Sequence, residues 1–173
     1  MAHEQHLRWW RQATPVGEIT VVVGPRGVAA IAFPGEDLGH LVGGAPPERD
    51  EAIAVKIDEW CAGHRSTLDL PVDLSGCSPF QRRVLETLAR EVAYGETVSY
   101  GELAEMAGSP GAARAVGRAM ATNPIPLVIP CHRVVAAGGR LGGYGGVARG
   151  GSSEPNLARK RALLAREGVT VRG

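Results

Sequence analysis

The run NPIPLVIPCHRVV at residues 123–135 constrains this chain more than any other stretch. Three prolines, Pro124, Pro126 and Pro130, fall close together. Each fixes φ at about −65° and removes a backbone donor, so the run can be neither helix interior nor central strand. The segment is expected to be extended and stiff. Rigidity of this kind holds a reactive group in place, and Cys131, His132 and Arg133 follow directly. Adjacent side chains of an extended strand point to opposite faces, so Cys131 and His132 would not chelate one metal in the usual geometry. Cys131 reads either as a buried structural thiol or as a nucleophile. A thiol with an ordinary pKa of about 8.5 needs a base and a positive environment at neutral pH. His132 and Arg133 can supply these, directly or through a water.

Helical patterns flank the proline run. Ser78-Pro79 opens a helix with a serine cap and proline at the first helical position; Val84, Leu85 and Leu88 form its apolar face, and Tyr94-Gly95 ends it. Ser99 with Glu102 forms a capping box for a short helix that stops at Gly108. The turn Ser109-Pro110-Gly111 leads into a third helix at 112–122. Two short helices joined by a glycine turn resemble a helix-turn-helix. On the third helix Ala112, Ala113, Ala115, Gly117, Ala119 and Ala121 are small, and only Arg114 and Arg118 project far. That surface suits tight helix packing, or close approach to a nucleic-acid groove with an arginine reaching in.

The first part of the chain reads differently. Residues 17–23 and 27–33 predict two short strands joined at Gly24-Pro25-Arg26. Apolar residues at helical spacing predict a helix over roughly 48–62, and 66–74 reads as a further strand or an extended connection. A domain boundary is expected near Gly76, giving an α/β domain at 1–75 and a mainly helical one at 76–173.

The 173 residues carry a net charge of only +1, but its distribution is uneven. Residues 1–105 hold 9 basic and 16 acidic side chains, whereas 106–166 hold 9 basic and a single acid, Glu154. Either a solvated face has clustered its charges by chance, or a surface meets a phosphate backbone. No apolar run reaches the roughly 18 residues of a membrane span, and the N-terminus lacks the apolar core of a secretory signal. A cytoplasmic protein with no membrane association is expected. Cys61, Cys77 and Cys131 form neither a disulfide framework nor a CxxC zinc pattern. Cys61 and His64 read as structural or surface residues.

PCHRV at Pro130–Val134, preceded by NPIPLVI, resembles the active-site signature of the O6-alkylguanine-DNA alkyltransferases, the methylated-DNA–protein-cysteine methyltransferases. SPFQRRVLETL, GETVSYGELA, GAARAVGRAM and RKRALLAREG resemble further family segments in register, so the likeness spans roughly 76–168. It implies an RNase H-like N-terminal domain and a C-terminal domain with a helix-turn-helix of winged-helix-like form. The implied activity is direct reversal of DNA damage: one irreversible transfer of the alkyl group of O6-alkylguanine, and of O4-alkylthymine, to the protein's own cysteine.

The resemblance also implies roles. Cys131 accepts the alkyl group. His132 takes its proton through a water, and Glu167 orients His132. Tyr100 assists the departing guanine, and Asn123 is the hinge between recognition helix and cysteine segment. Arg114 enters the duplex in place of the flipped base, with Ala113, Ala115, Arg118, Ser99 and Arg133 also on the DNA. Pro126, Val134, Tyr144 and Gly145 line the guanine pocket. The partner is double-stranded DNA met through its minor groove by a monomer, with no cofactor. No metal is expected, because residues 1–75 hold one cysteine where some family members carry a zinc site. The glycine-rich segment 145–156 is longer than the family pattern and is expected to be mobile, either as a pocket wall that moves aside for bulky adducts or closes over the site on DNA, or as a tolerated surface insertion with no role. Three rival readings stand beside this one: a lesion-flagging protein without transfer, a cysteine hydrolase using Cys131 and His132, and a transcriptional regulator.

Overall fold

The computed structural model describes residues 6–145 and 153–172. They form two compact units, Met1–Gly76 with Pro124–Val128, and Cys77–Asn123 with Ile129–Gly173.

The first unit is built on an antiparallel meander of β1 (Arg8–Gln12), β2 (Ile19–Gly24) and β3 (Gly27–Ala32), in that order. The tight link predicted between β2 and β3 is present, with Gly24 opposite Gly27. Gly27 has φ of 127°, and a Cβ there would sit 2.4 Å from the Pro71 carbonyl oxygen, so only glycine fits. Strand β1 was not anticipated, because arginines bracket its two tryptophans and hide the alternation. Gln12 is buried within it, donating to Ala54 O at 2.9 Å and Asp58 Oδ1 at 2.6 Å. Those acceptors lie on or beside the inner turns of α2 (Glu51–Cys61), which Asp50 caps by accepting from Ile53 N. Ile53, Ile57 and Trp60 form the buried face of α2. A four-residue helix, α1 (Gly39–Val42), interrupts the expected Gly/Pro-rich loop. Residues 66–74 are an extended connection with a single bridge, Val28 to Val72. Residues 124–128 belong to this unit, where Ile31 N donates to Pro124 O at 2.9 Å.

The second unit contains α3 (Pro79–Glu91), α4 (Tyr100–Met106), α5 (Ala113–Ala121) and α6 (Glu154–Arg166). Two-residue strands β4 (Val98–Ser99) and β5 (Val134–Val135) pair in parallel. Ser78 caps α3 with Pro79 behind it, and the Ser99–Glu102 capping box starts α4, both as expected. Helix α3 stops at Glu91, before the predicted Tyr94-Gly95. Its Gln81 Nε2 donates to Thr122 Oγ1 at 2.9 Å and Thr122 O at 3.2 Å, holding the end of α5. Arg83 reaches Ser109 Oγ at 2.9 Å in the α4–α5 turn.

One expectation is overturned. The Cys131 segment is not extended: Cys131–Arg133 is a turn of 3-10 helix, with Arg133 N bonded to Pro130 O at 2.9 Å. Proline restricts φ but leaves the following residues free to turn, so the stiffness ends at Pro130.

Candidate active site

The site lies within the second unit, where the 3-10 turn places three consecutive side chains indoors. Cys131, His132 and Arg133 are 6%, 3% and 7% exposed. An extended strand would have alternated these side chains between two faces; in the turn all three are buried.

His132 Nε2 lies 3.1 Å from Glu167 Oε1 at the end of α6. Burial pushes Glu167 up, but hydrogen bonds from His132 and Arg133 and their charges more than offset this and hold its pKa at about 2. The carboxylate is therefore ionised and can only accept, so Nε2 carries the proton. Burial holds the His132 pKa below its ordinary value, against the pull of Glu167, and the ring is neutral at pH 7. That leaves Nδ1 as the basic nitrogen. It is buried and makes no hydrogen bond to any described residue.

A cleft of about 100 Å³ opens beside Cys131, lined by Tyr100, Gly117, Met120, Ala121, Cys131, Gly143, Tyr144 and Gly145. Tyr100 opens α4, and α5 supplies the small residues of one wall. Burial and the charge of Cys131 both push the Tyr100 pKa up, so its hydroxyl keeps its proton and can donate.

Other predicted residues fall in several places. Asn123 is fully buried, and its Nδ2 donates to Ile129 O at 3.0 Å, tying the end of α5 to the residues before Cys131. Arg114 and Arg118 are exposed on α5, with Ala113 and Ala115 half-buried beside them. Ser99 spends its hydroxyl on the cap of α4. Val134 is buried in β5 and Pro126 belongs to the first unit; neither lines the cleft. Tyr144 and Gly145 do; of the long segment 145–156, residues 146–152 lie outside the described residues, while Ser153 is the N-cap of α6 and 154–156 form its first turn, so that end is helix rather than mobile loop.

Arg133 must be moved from the DNA surface to the interior. Its Nε and Nη2 grip Glu167 at 2.8–3.1 Å, and Nη1 donates to Val92 O at 2.8 Å. Buried, with Nε, Nη1 and Nη2 all turned to interior acceptors, it does not present its guanidinium at the surface where a phosphate would lie.

Lys160 was missed altogether. It is fully buried on α6, and its Nζ donates to Val134 O at 2.7 Å and Gly143 O at 2.8 Å. It thus bridges the strand after the cysteine turn and the cleft wall. Burial lowers its pKa to about 8, while the charge of Cys131 pulls the other way. The signal was present: Lys160, Leu163, Leu164 and Glu167 follow the i, i+3, i+4, i+7 spacing of one helix face. Among the described residues no group of three or more His, Cys, Asp or Glu is placed to hold a metal.

The family model described as the DNA binding domain of 6-O-methylguanine DNA methyltransferase matches residues 79–169. The chain belongs to this family. Among curated members, the methylated-DNA–protein-cysteine methyltransferase of Mycolicibacterium paratuberculosis is 48% identical over 69% of this chain and 68% of its own. That of Cricetulus griseus is 37% identical over 99% of this chain and 87% of its own. Among solved structures, the O6-methylguanine methyltransferase of Mycobacterium tuberculosis has a TM-score of 0.78 at 34% identity, covering 93% of this chain and 92% of that one. The Mycobacterium tuberculosis OGT solved in complex with DNA has a TM-score of 0.75 at 37% identity, covering 93% and 91%. The methyltransferase match contains every residue of the cleft and of the Arg133–Glu167 network.

Proposed function

We propose that this methyltransferase repairs DNA by taking the alkyl group of O6-alkylguanine, and of O4-alkylthymine, onto Cys131 in a single irreversible transfer. The observation that carries the reading is the His132 ring. Its Nε2–H is fixed on Glu167, which leaves the buried Nδ1 as the basic nitrogen of the residue that follows Cys131 in the chain.

In this mechanism His132 Nδ1 takes the thiol proton, through a water. The Sγ electron pair of Cys131 attacks the alkyl carbon, the carbon–O6 bond breaks, and its electrons leave with guanine. Tyr100 delivers a proton or hydrogen bond to that leaving group. Lys160 stabilises the thiolate through space and holds Gly143 in the cleft wall. No oxyanion forms, and the thioether product resists water, so the protein acts once.

The base must leave the duplex to reach Cys131, at a cost of about a few kcal/mol. The small residues of α5 suit close approach to the minor groove, with Arg114 filling the gap left in the stack. Ala113, Ala115, Arg118 and Ser99 would flank the contact. Val134, buried in β5 outside the cleft, would act on the pocket only indirectly. We read the first unit as RNase H-like and the α4–α5 pair with β4 and β5 as winged-helix-like. The protein would act as a cytoplasmic monomer without a cofactor; among the described residues no helix is long and apolar enough to cross a membrane.

Incubation with excess free O6-benzylguanine tests the chemistry. One equivalent of guanine per protein is expected, then silence. Continued release of guanine would point to a hydrolase.

A further inference from the structure

We propose that Arg140 and Arg172 form a second phosphate-binding site, which grips the DNA backbone close to the cleft and apart from α5. The proposal rests on the DNA-repair reading above.

The two arginines are brought together by backbone pairing. Arg140 is bridged antiparallel to Ala136 and parallel to Arg172. Leu141 N donates to Arg172 O, and Arg172 N to Gly139 O, both at 3.1 Å. The inner face of this patch is apolar: Val135, Leu141 and Leu164 are buried, with Leu157, Val169 and Val171 packed against them. Side chains alternate along extended chain. Since Leu141 and Val171 point inward, Arg140 and Arg172 stand together on the outer face, where both are exposed.

Neither guanidinium has a hydrogen bond or ion pair among the described residues. Neither 136–142 nor 169–172 contains an acid. Like charges opposite one another across paired backbone repel. An anion between them converts that repulsion into attraction, and two guanidinium forks match the oxygens of one phosphodiester.

Position selects the anion. Gly143, three residues beyond Arg140, lines the cleft. Three residues span at most about 11 Å, so a duplex with one base in the cleft carries several phosphates within reach.

The test is the salt dependence of binding by the full chain to duplex DNA, with and without O6-methylguanine. Each phosphate neutralised contributes a slope of about −0.9 in log affinity against log salt. Replacing both residues (Arg140→Ala with Arg172→Ala) should make the slope shallower by about 1 on both duplexes. Replacing both with lysine should retain it. Reaction with free O6-benzylguanine should be unchanged, which also reports that the cleft is intact. An unchanged slope in the alanine variant overturns the proposal. So does a fall in the free-base rate as large as the fall in DNA binding, which would make the pair a prop for the cleft wall. Failure of the unmodified protein to react with O6-benzylguanine would instead contradict the parent reading.

Discussion

A buried cation beside a nucleophile is costly unless its donors are matched, and Lys160 spends two of its three on carbonyls. Lys160→Met keeps the apolar stem and removes the charge. It removes the donor to Val134 O and Gly143 O, and an unmet buried acceptor such as Val134 O costs about 1–3 kcal/mol. The variant should melt earlier than the parent and react more slowly with free O6-benzylguanine at neutral pH. A lower melting temperature with an unchanged rate would leave Lys160 a purely structural tie. His132 sets a second expectation. Its pKa lies below 6.5, so the base stays available through that pH and is lost only in more acidic solution. The transfer rate should hold down to about pH 6.5 and fall below it; a fall centred above that value would mean another group is the base.

At the scale of elements, Arg133 joins the end of α3 to the end of α6. It holds Val92 O and Glu167, while Tyr94 Oη donates to Arg166 O at 2.6 Å alongside. Arg133→Ala leaves Glu167 buried without its main partner, a break worth about 3–5 kcal/mol. Urea unfolding should show the loss, and a change below 1 kcal/mol would contradict a shared anchor. Helix α5 carries a functional prediction. Arg114→Ala should slow repair of duplex DNA more than reaction with free O6-benzylguanine, which needs no base extrusion. Tyr100→Phe should slow both, by about 10²–10⁴-fold if the proton is delivered in the transition state. Equal losses for Arg114→Ala on the two substrates would remove the finger role. The helices themselves were legible because caps are local chemistry: Ser78-Pro79 and Ser99 with Glu102 announce their own starts. The 3-10 turn at Cys131 was not, since its closing bond from Arg133 N to Pro130 O depends on where tertiary packing sends a stiff segment. The interior place of Arg133 was hidden for a related reason. An arginine in a basic region reads as surface until its carboxylate, 34 residues away in sequence, is folded against it.

For the whole molecule, acid should be the weak side. Glu167 has a folded pKa of about 2 against an ordinary 4.5. Its contribution to stability is complete above pH 4.5 and is lost as pH falls from there toward 2. His132, with its folded pKa below 6.5, adds a loss of the same sign, because below that pH the unfolded chain binds a proton the folded one resists. The melting temperature should drop on acidification, and less steeply in Glu167→Gln; parallel profiles would place the acid sensitivity elsewhere. The central claim is that Cys131 itself accepts the alkyl group. Intact-protein mass spectrometry after incubation with a duplex carrying O6-methylguanine tests it most directly. The account predicts one added methyl group per chain, mapped to the peptide containing Cys131 and absent from Cys131→Ser, which should still bind DNA. A methyl group on Cys61 or Cys77, or repaired DNA in excess of protein, would contradict it.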